Sequence, residues 1–315
     1  MRKFKEQISV ILFKLLLIKD LLNTFKYQSK LDFTSRVLME SHRLEKSMAQ
    51  SYQAKGRGYD KALWLFNYIK MSDNYKKDEK YQFALELAAS TIYSFIKHKE
   101  KIDINELKLK QLKKLFEESE IKKLVNNSFG GIYETSKPEI QFDNTYKLFH
   151  SRHSCRSFDS SPLNMENFTR AIDLAMQSPS ACNRQPTRLY LISDDRIAKA
   201  TGRSCNNDYD APYHLIVTVD YSAYELQEYN DWIVSSSIFT GYLTLALHSV
   251  QIASCLMRKP LYEHSIITKA YRKECGIPDN EKIIIEMYIG NYPQKFYVPI
   301  SKRLTSNHIL KIVEN

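Results

Sequence analysis

Glycine is scarce in this chain, with 8 residues among 315. No G-x-G-x-x-G, G-x-x-x-x-G-K-[ST] or G-x-S-x-G sequence occurs in it. These motifs mark the standard dinucleotide fold, the P-loop and the nucleophile turn of α/β-hydrolases, and each uses glycine for a tight turn or a close backbone approach. Their absence removes most of the support for these three kinds of site.

Cysteine is sparse and shows no paired pattern, since the chain has five cysteines and no C-x-x-C. An odd number without metal-ligand spacing argues against both a disulfide framework and a structural zinc site. We therefore predict no metal site and a reducing, cytoplasmic location, in which most of these thiols act as small buried apolar groups.

Acidic residues are too few to balance the basic ones, and the formal net charge is +10. A basic surface can attract nucleic acid, anionic lipid or a phosphorylated small molecule. Much of the excess lies in the first third of the chain, for example at Lys108, Lys110, Lys113 and Lys114. A solvated helix face explains these lysines more simply than a nucleic-acid groove, and no aromatic platform is interleaved with them. We predict no nucleic-acid partner.

The N-terminus lacks an apolar run long enough to span a bilayer. Met1–Lys5 is basic and Ile8–Ile18 is apolar, but Lys14 interrupts the run and no small-residue cleavage site follows. Two interpretations stay open. One is an amphipathic helix that packs on its own protein or on a partner subunit, which we favour. The other is peripheral membrane contact through residues 1–22.

Residues 1–135 are predicted to form an all-helical N-terminal extension. Apolar residues recur at helical spacing over Tyr81–His98 and Asn105–Val125, and Lys61–Lys70 is rich in helix formers. Asparagine, glycine and proline cluster at Asn126–Pro138, which we predict to be a linker.

Residues 140–315 mix helix and strand patterns. Strands are predicted at Arg188–Ser193, Tyr213–Asp220 and Lys282–Ile289, and a long apolar helix at Trp232–Val250. Asn164 is the predicted N-cap of a helix that Pro179 ends. The fold class predicted for the chain is α+β, with a mixed β-sheet flanked by helices and preceded by the all-α extension.

The first candidate site segment is the R-x-S-x-R sequence of Arg152, Ser154 and Arg156. On one turn of helix, or on a tight loop into one, both guanidinium groups and the hydroxyl can face the same point. Two charged forks and a neutral donor suit a phosphate group. By itself the pattern is equally consistent with a kinase site or a plain basic turn.

The second candidate segment is the loop Ser178–Pro186, in which Pro179 and Pro186 bracket small and amide side chains. Prolines stiffen such a loop, and small residues let its backbone approach a ligand closely. Asn183 and Gln185 each offer a donor and an acceptor, which can bind the polar edge of a heterocycle or sugar hydroxyls. The alternative is an ordinary turn in which Asn183 is a turn former.

In combination and at this spacing, the two segments resemble the nitroreductase family of flavoproteins. In that family an R-x-S-x-R segment is followed about one helix later by a P-S-x-x-N-x-Q-P loop. The resemblance covers about residues 145–310. Four further likenesses lie downstream of the two segments: Ala211-Pro212, the helix Asp231–Ser249, the turn Ile289–Tyr292 and the basic tail Ser301–Arg303.

The resemblance implies a nitroreductase-like fold with FMN as cofactor and NAD(P)H as co-substrate. It assigns the phosphate and ribityl end to Arg152, Ser154 and Arg156, with His153 beside them. It assigns the ribityl chain or the ring edge to Asn183 and Gln185, and the lining of the flavin to Pro179, Ser180 and Ala181. Lys302 and Arg303 would complete the phosphate clamp. No catalytic side chain is nominated, because the flavin itself performs the redox chemistry.

The implied activity is ping-pong hydride transfer from NAD(P)H to a small organic acceptor, either a nitroaromatic, a quinone or a pathway intermediate. The implied assembly is a homodimer with the flavin at the subunit interface, for which the apolar helix from Trp232 is suited.

The segment His42–Lys46, followed by Gly56–Gly58, resembles an H-R-L-E-K segment in a subgroup with a helical N-terminal extension. Members of that subgroup often occur among surface-polysaccharide genes. The alternative is a plain helix in which Glu45 pairs with a neighbour. We expect the extension to cover the active-site mouth or to wrap the dimer partner, because its apolar faces need burial.

The chain departs from the family pattern where relatives carry glycine. Those places read Ser235-Ser236-Ser237 and Val250–Cys255, and Gln251 in particular is expected to reshape one side of the pocket. His153 and His248 can be read as acid–base candidates, but such histidines more often fill hydrogen-bonded structural positions. The alternative function is therefore a catalytically degenerate flavin-fold binding protein, membrane-associated in surface-polysaccharide biosynthesis.

Overall fold

The computed structural model describes most of the chain from residue 31 onward. The described ranges are 31–49, 58–71, 78–102, 107–135, 139, 141–202, 209–228, 230–257 and 265–313, together with Lys14, Leu15, Ile18 and Leu22. The predicted amphipathic segment at residues 1–22 lies outside them, apart from those four single residues. No helix in the described part is long and apolar enough to cross a membrane.

The N-terminal region is helical, as predicted. Its helices are α1 (Phe33–Ala49), α2 (Tyr59–Lys70), α3 (Glu79–Ile102) and α4 (Leu107–Glu117), followed by a 3₁₀ turn at Glu120–Leu124. Each turns an apolar stripe toward one shared core, which includes Leu44, Phe66, Ile92, Phe95, Leu112 and Phe116. This core is distinct from those around the sheet; the division at residues 135–140 itself stays a prediction.

The glycine cluster after α4 is held closely against the helices. A Cβ at Gly130 would lie 2.3 Å from Thr91 Oγ1, and Gly131 has a φ of +119°. The Gly131 N–H donates to Glu45 Oε1 at 3.0 Å. These glycines therefore serve a close backbone approach as well as chain reversal. Glu45 of the H-R-L-E-K segment pairs with neighbouring groups, which is the plainer of its two interpretations.

The C-terminal region contains a four-stranded sheet with the order β1-β2-β4-β3. The strands are β1 (Thr187–Ser193), β2 (Tyr213–Asp220), β3 (Ile252–Met257) and β4 (Glu281–Asn291). The α+β class is confirmed, but all three described pairings are antiparallel, where a mixed sheet was expected. The reason is that β2 and β3 run the same way, and β4 enters between them in the opposite direction.

Helices cover both faces of the sheet. The covering helices are α6 (Met165–Ala175), α7 (Asp194–Thr201), α8 (Asp231–Ser249) and α9 (Ile266–Cys275), and they are preceded by α5 (Phe142–Ser151), in which no residue is buried. α6 and α8 share a core with Leu215 on one face, while α7 and α9 share a core with Ile216 on the other, because adjacent strand residues point to opposite faces. Asn164 caps α6 as predicted, its side chain accepting from the Asn167 N–H at 3.0 Å.

Candidate functional site

The Arg152–Arg156 segment begins where α5 ends and runs along the sheet without helical structure. The Cys155 N–H donates to the Ser254 carbonyl of β3 at 3.0 Å, and Asp159 N–H donates to Asn291 O of β4 at 3.0 Å. β3 is an edge strand, and an edge strand presents unpaired carbonyls to any backbone beside it. Of the two arrangements expected, a turn of helix or a tight loop into one, the structure does not show the helical turn, because the segment is fastened by backbone contacts to the sheet edge.

Positive charge in this segment is left uncompensated. Within the described residues neither Arg152 nor Arg156 lies in an ion pair with a carboxylate. Arg156 is exposed, its guanidinium lies 5.9 Å from the ring centre of Tyr209, and it donates a long bond of 3.4 Å to Ser154 O. The charges of both guanidinium groups reach the Cys255 thiol. Burial raises the pKa of this thiol, and Arg156 and Arg152 each act to lower it. Such a cluster suits an anion.

His248, at the C-terminal end of α8, contacts the residue immediately before the Arg152–Arg156 segment. Its Nε2 lies 2.8 Å from Ser151 Oγ, and its Nδ1 lies 3.0 Å from Tyr292 Oη. Burial lowers the pKa of His248, and the charges of Arg152 and His153 lower it further. Burial raises the pKa of Tyr292 to about 12. Both partners are thus neutral at pH 7, which fits a structural histidine rather than an acid–base group.

The Pro179–Gln185 loop has an unusual backbone. Cys182, Asn183 and Gln185 have φ values of 50°, 53° and 50°. The left-handed region costs about 1–2 kcal/mol for most residues, although asparagine tolerates it better. Strain of this kind persists only where the surroundings determine the conformation, and it is concentrated at ligand clamps and active sites.

Arg184 supplies the main contacts that hold this conformation. Its side chain is 0% exposed and forms two bonds of 2.7 Å to the Glu228 carboxylate. It also donates to Ala223 O at 2.8 Å and to Ala181 O at 2.9 Å, and it stacks over the Tyr224 ring. Burial alone would lower the pKa of Arg184, but the ion pair with Glu228 outweighs burial and raises it. The sequence does not reveal the role of Arg184, because nothing in the motif distinguishes a buried arginine from an exposed one.

The other side of the loop opens on a small cleft against the first half of α8. The Ala181 N–H donates to Ser235 Oγ at 3.2 Å, and the Gln185 N–H donates to Ser180 Oγ at 3.1 Å. Asn183 is exposed, whereas Ser180, Ala181 and Gln185 are half-buried. Ser178, Ser180, Gln185, Ser235 and Phe239 are among the residues that line the cleft. Ser235, one of the serines at the expected departure from the family pattern, therefore anchors the loop.

The two segments lie at opposite ends of α8 in one chain. The loop is tied to Ser235, and Ser151, immediately before the Arg152–Arg156 segment, is tied to His248. These two anchors are thirteen positions apart on the helix, which is ~20 Å. Lys302 and Arg303 are exposed on the tail after β4 and make no polar contact with the other candidate residues in the described part. One chain therefore does not bring all the predicted site residues together.

Apolar side chains lie exposed between and beyond the two half-sites, which are the Arg152–Arg156 segment and the Pro179–Gln185 loop. On α8 the outward residues are Ile233, Val234, Ile238 and Tyr242. The tail is similar, with exposed Tyr297, Ile300, Leu304, Ile309, Leu310, Ile312 and Val313. Exposed apolar residues that are grouped in this way are typical of interaction sites.

Gln251 occupies a left-handed position, with a φ of 64°. It follows the Val250 C-cap of α8, and its N–H donates to His248 O at 3.1 Å. Helices often end with a left-handed residue at this place, and glycine is the usual choice because it has no Cβ. The expected departure from the family pattern therefore corresponds to a strained helix end.

Comparisons with known proteins agree with the motif reading. A model of the nitroreductase family matches residues 150–212, which contain both candidate segments. The iodotyrosine dehalogenase 1 homolog of Caenorhabditis elegans is 27% identical over 203 residues, which are 53% of this chain and 60% of that protein. A protein of Archaeoglobus fulgidus assigned as an NADH dehydrogenase/NAD(P)H nitroreductase is 25% identical over 150 residues, 47% of this chain and 84% of that relative. The resemblance to the nitroreductase family is confirmed.

Solved structures are also similar. A nitroreductase from Bacteroides fragilis with bound FMN is 17% identical, with a TM-score of 0.43, over 54% of this chain and 98% of its own. A nitroreductase family protein from Clostridium difficile is 24% identical, with a TM-score of 0.42, over 52% of this chain and 95% of its own. At these values the likeness assigns neither a ligand nor a reaction to this chain.

Proposed function

We propose that this chain is an FMN-dependent oxidoreductase that uses NAD(P)H to reduce a small organic acceptor. The observation that carries the proposal is the nitroreductase-family match over residues 150–212, where uncompensated arginines and a strained polar loop both occur. The proposal keeps the cytoplasmic location that the cysteine pattern predicts.

The Arg152–Arg156 segment would hold the FMN phosphate. Its two guanidinium groups have no competing carboxylate in the described part of the chain, and Ser154 adds a neutral donor. The depressed pKa of His248, caused by burial and then by Arg152 and His153, indicates the positive potential that a phosphate would neutralise. Lys302 and Arg303 would add charge from the tail.

The Pro179–Gln185 loop would hold the remainder of the cofactor. Pro179, Ser180 and Ala181 would line the flavin, and the amides of Asn183 and Gln185 would bind its polar groups. When bound, FMN would supply hydride transfer between the nicotinamide nucleotide and the acceptor. The protein's part is to bind, orient and shield it, which a loop fixed by buried contacts can do.

A homodimer would complete the site. A twofold axis that packs α8 against its copy in antiparallel fashion buries Ile233, Val234, Ile238 and Tyr242 on both chains. The same arrangement sets the loop at the start of one α8 beside the Arg152–Arg156 segment at the end of the other. Each flavin would then take its phosphate site from one subunit and its loop from the partner.

The first experiment is the visible absorption spectrum of the purified protein, reconstituted with FMN and then titrated anaerobically with NADH or NADPH. An oxidised-flavin spectrum that bleaches on titration supports the proposal. Bound flavin that no nicotinamide nucleotide reduces supports the degenerate binding protein instead. Protein that takes up no FMN refutes the enzyme and leaves a degenerate binding protein that has also lost the flavin. Acceptors to compare afterwards are a nitroaromatic, a quinone and, because one relative is named a dehalogenase, an iodinated phenol.

Complementation tests the shared site. One chain carries Arg152→Ala with Arg156→Ala, and the other carries Asn183→Ala with Gln185→Ala. Neither homodimer is expected to retain FMN. A mixed dimer has one site with both wild-type halves if the halves come from different subunits, and none if each chain builds its own. Failure of the mixed dimer to bind FMN would therefore refute the shared site.

A further inference from the structure

Helix α1 of the N-terminal extension is buried on two opposite faces. One face packs into the helical core through Val37, Leu38, Leu44 and Met48. The opposite side of α1 carries a second stripe of residues, Ser35, Arg36, Met39 and Arg43. They share one side of the helix because they are spaced about three or four residues apart. Met39 is 1% exposed yet is not a member of the helical core. The Met39 side of α1 therefore faces away from the helical core.

The second face of α1 contacts the loops around Arg184. The Asp32 N–H donates to Ser222 O at 3.0 Å, and Arg36 Nη2 lies 3.2 Å from Glu225 Oε1. The helix also packs directly against the Ala181–Asn183 turn of the Pro179–Gln185 loop, the candidate flavin loop. Farther along the stripe, the charge of Arg43 is one of the causes that lower the pKa of Glu228 against its burial.

A continuous series of contacts leads from this face to the strained backbone. The Glu225 N–H donates to Glu228 Oε2 at 2.9 Å. The Glu228 carboxylate binds the Arg184 guanidinium at 2.7 Å, and Arg184 Nε donates to Ala181 O at 2.9 Å. α1 therefore reaches the loop both directly and through the Glu225–Glu228 turn.

We propose that α1 is a positioning element of the flavin loop, with Met39 at the centre of its contact face. The left-handed conformations of Cys182, Asn183 and Gln185 need surroundings that determine them, and α1 supplies part of those surroundings. The consequence for FMN rests on the proposed function; the consequence for the loop does not.

The test compares Met39→Ala with the conservative Met39→Leu and with Leu112→Ala. Leu112 is buried in the same helical core, on α4, away from the second face of α1. The readouts are hydrogen exchange of the peptide spanning residues 178–188 in FMN-free protein, and the FMN dissociation constant. Met39→Ala is expected to accelerate loop exchange roughly tenfold by easing local opening, to weaken FMN binding, and to leave the β2 peptide unchanged. Met39→Leu is expected to behave as wild type.

Leu112→Ala is expected to lower the thermal midpoint without accelerating exchange in the loop. Should Met39→Ala fail to fold, the double variant Arg36→Ala/Arg43→Ala serves instead, with a smaller acceleration of the same peptide expected. Unchanged loop exchange in whichever variant folds, or equal acceleration in Leu112→Ala, would overturn the proposal. Wild-type protein that takes up no FMN while Met39→Ala still loosens the loop would refute the proposed function and leave the positioning role standing.

Discussion

The Arg152–Arg156 segment and the Pro179–Gln185 loop are held in place by different kinds of contact. The first is fastened by its backbone to the edge of the sheet, through Cys155 and Ser254, and its charged side chains make no ion pair in the described part. The second is fastened by a buried side chain, Arg184, which neutralises its charge on Glu228. One segment thus keeps its charge available for a ligand, whereas the other uses charge to fix its own shape.

This difference indicates which property each half contributes to binding. Uncompensated charge gives affinity for an anion and needs only approximate geometry. A strained loop gives shape, and strain is maintained at the expense of stability elsewhere. Variants in the first segment should therefore change ligand affinity more than folding, and variants at Arg184 should change folding and loop order together.

The largest expected effect is on FMN affinity in Arg152→Ala/Arg156→Ala. Hydrogen bonds to charged groups contribute about 1.5–3 kcal/mol each, so losing two should weaken FMN binding at least about a hundredfold. The thermal midpoint without FMN should stay near the wild-type value, since no ion pair is broken. Flavin fluorescence titration measures the affinity. Arg170→Ala, on the exposed side of α6, is the control and should bind FMN as wild type does.

The next largest effect is on stability in Arg184→Met. Removing one partner of a buried ion pair costs about 3–5 kcal/mol, and because the Glu228 side chain is 25% exposed we expect a lower loss, about 2–3 kcal/mol. Denaturant unfolding measures the loss. Hydrogen exchange should show the loop peptide opening first, because Ala181 and Glu228 lose their common partner.

A matched control for this variant is His214→Gln on the far face of the sheet. His214 is 0% exposed and lies 2.7 Å from Asp194 Oδ1 and 2.5 Å from Glu286 Oε1, so it is as well paired as Arg184. This variant should also lose stability, but its loop peptide should exchange as in the wild type below the unfolding transition. Equal loosening of the loop in both variants would mean that Arg184 has no special connection with the site.

The sequence predicted the strands β1, β2 and β4, the helices α6 and α8 and the Asn164 cap, because each has a local periodicity or a capping side chain. It did not predict β3, since Ile252–Met257 is only six residues long and does not alternate apolar with polar residues. It could not predict Arg184, because the partner Glu228 lies forty-four residues away in sequence. Nor could it separate the half-sites, since their distance depends on which end of α8 each one contacts.

A smaller effect of opposite sign is expected for Gln251→Gly. The left-handed conformation of Gln251 costs about 1–2 kcal/mol, while glycine loses more backbone entropy on folding, so a net stabilisation of about 0.5–1 kcal/mol should remain. Denaturant unfolding measures the change. Gln177→Gly is the control: its φ is not positive, so glycine there should destabilise the protein. Destabilisation by Gln251→Gly would show that the Gln251 side chain makes contacts that outweigh the strain.

The smallest expected effect is a pH dependence from His248. Burial, Arg152 and His153 lower the pKa of its imidazole in the folded protein. As pH falls through about 6.5, the ordinary pKa of histidine, the unfolded state takes up a proton that the folded state does not, so stability decreases.

Burial also lowers the pKa of His98, so the informative quantity is the difference between wild type and His248→Asn. Between pH 7.5 and 5.5, values on either side of about 6.5, the thermal midpoint should fall more in FMN-free wild type than in FMN-free His248→Asn. Saturating FMN should reduce that difference, because the phosphate would offset the charge of Arg152. A difference that FMN leaves unchanged would place the phosphate elsewhere than the Arg152–Arg156 segment.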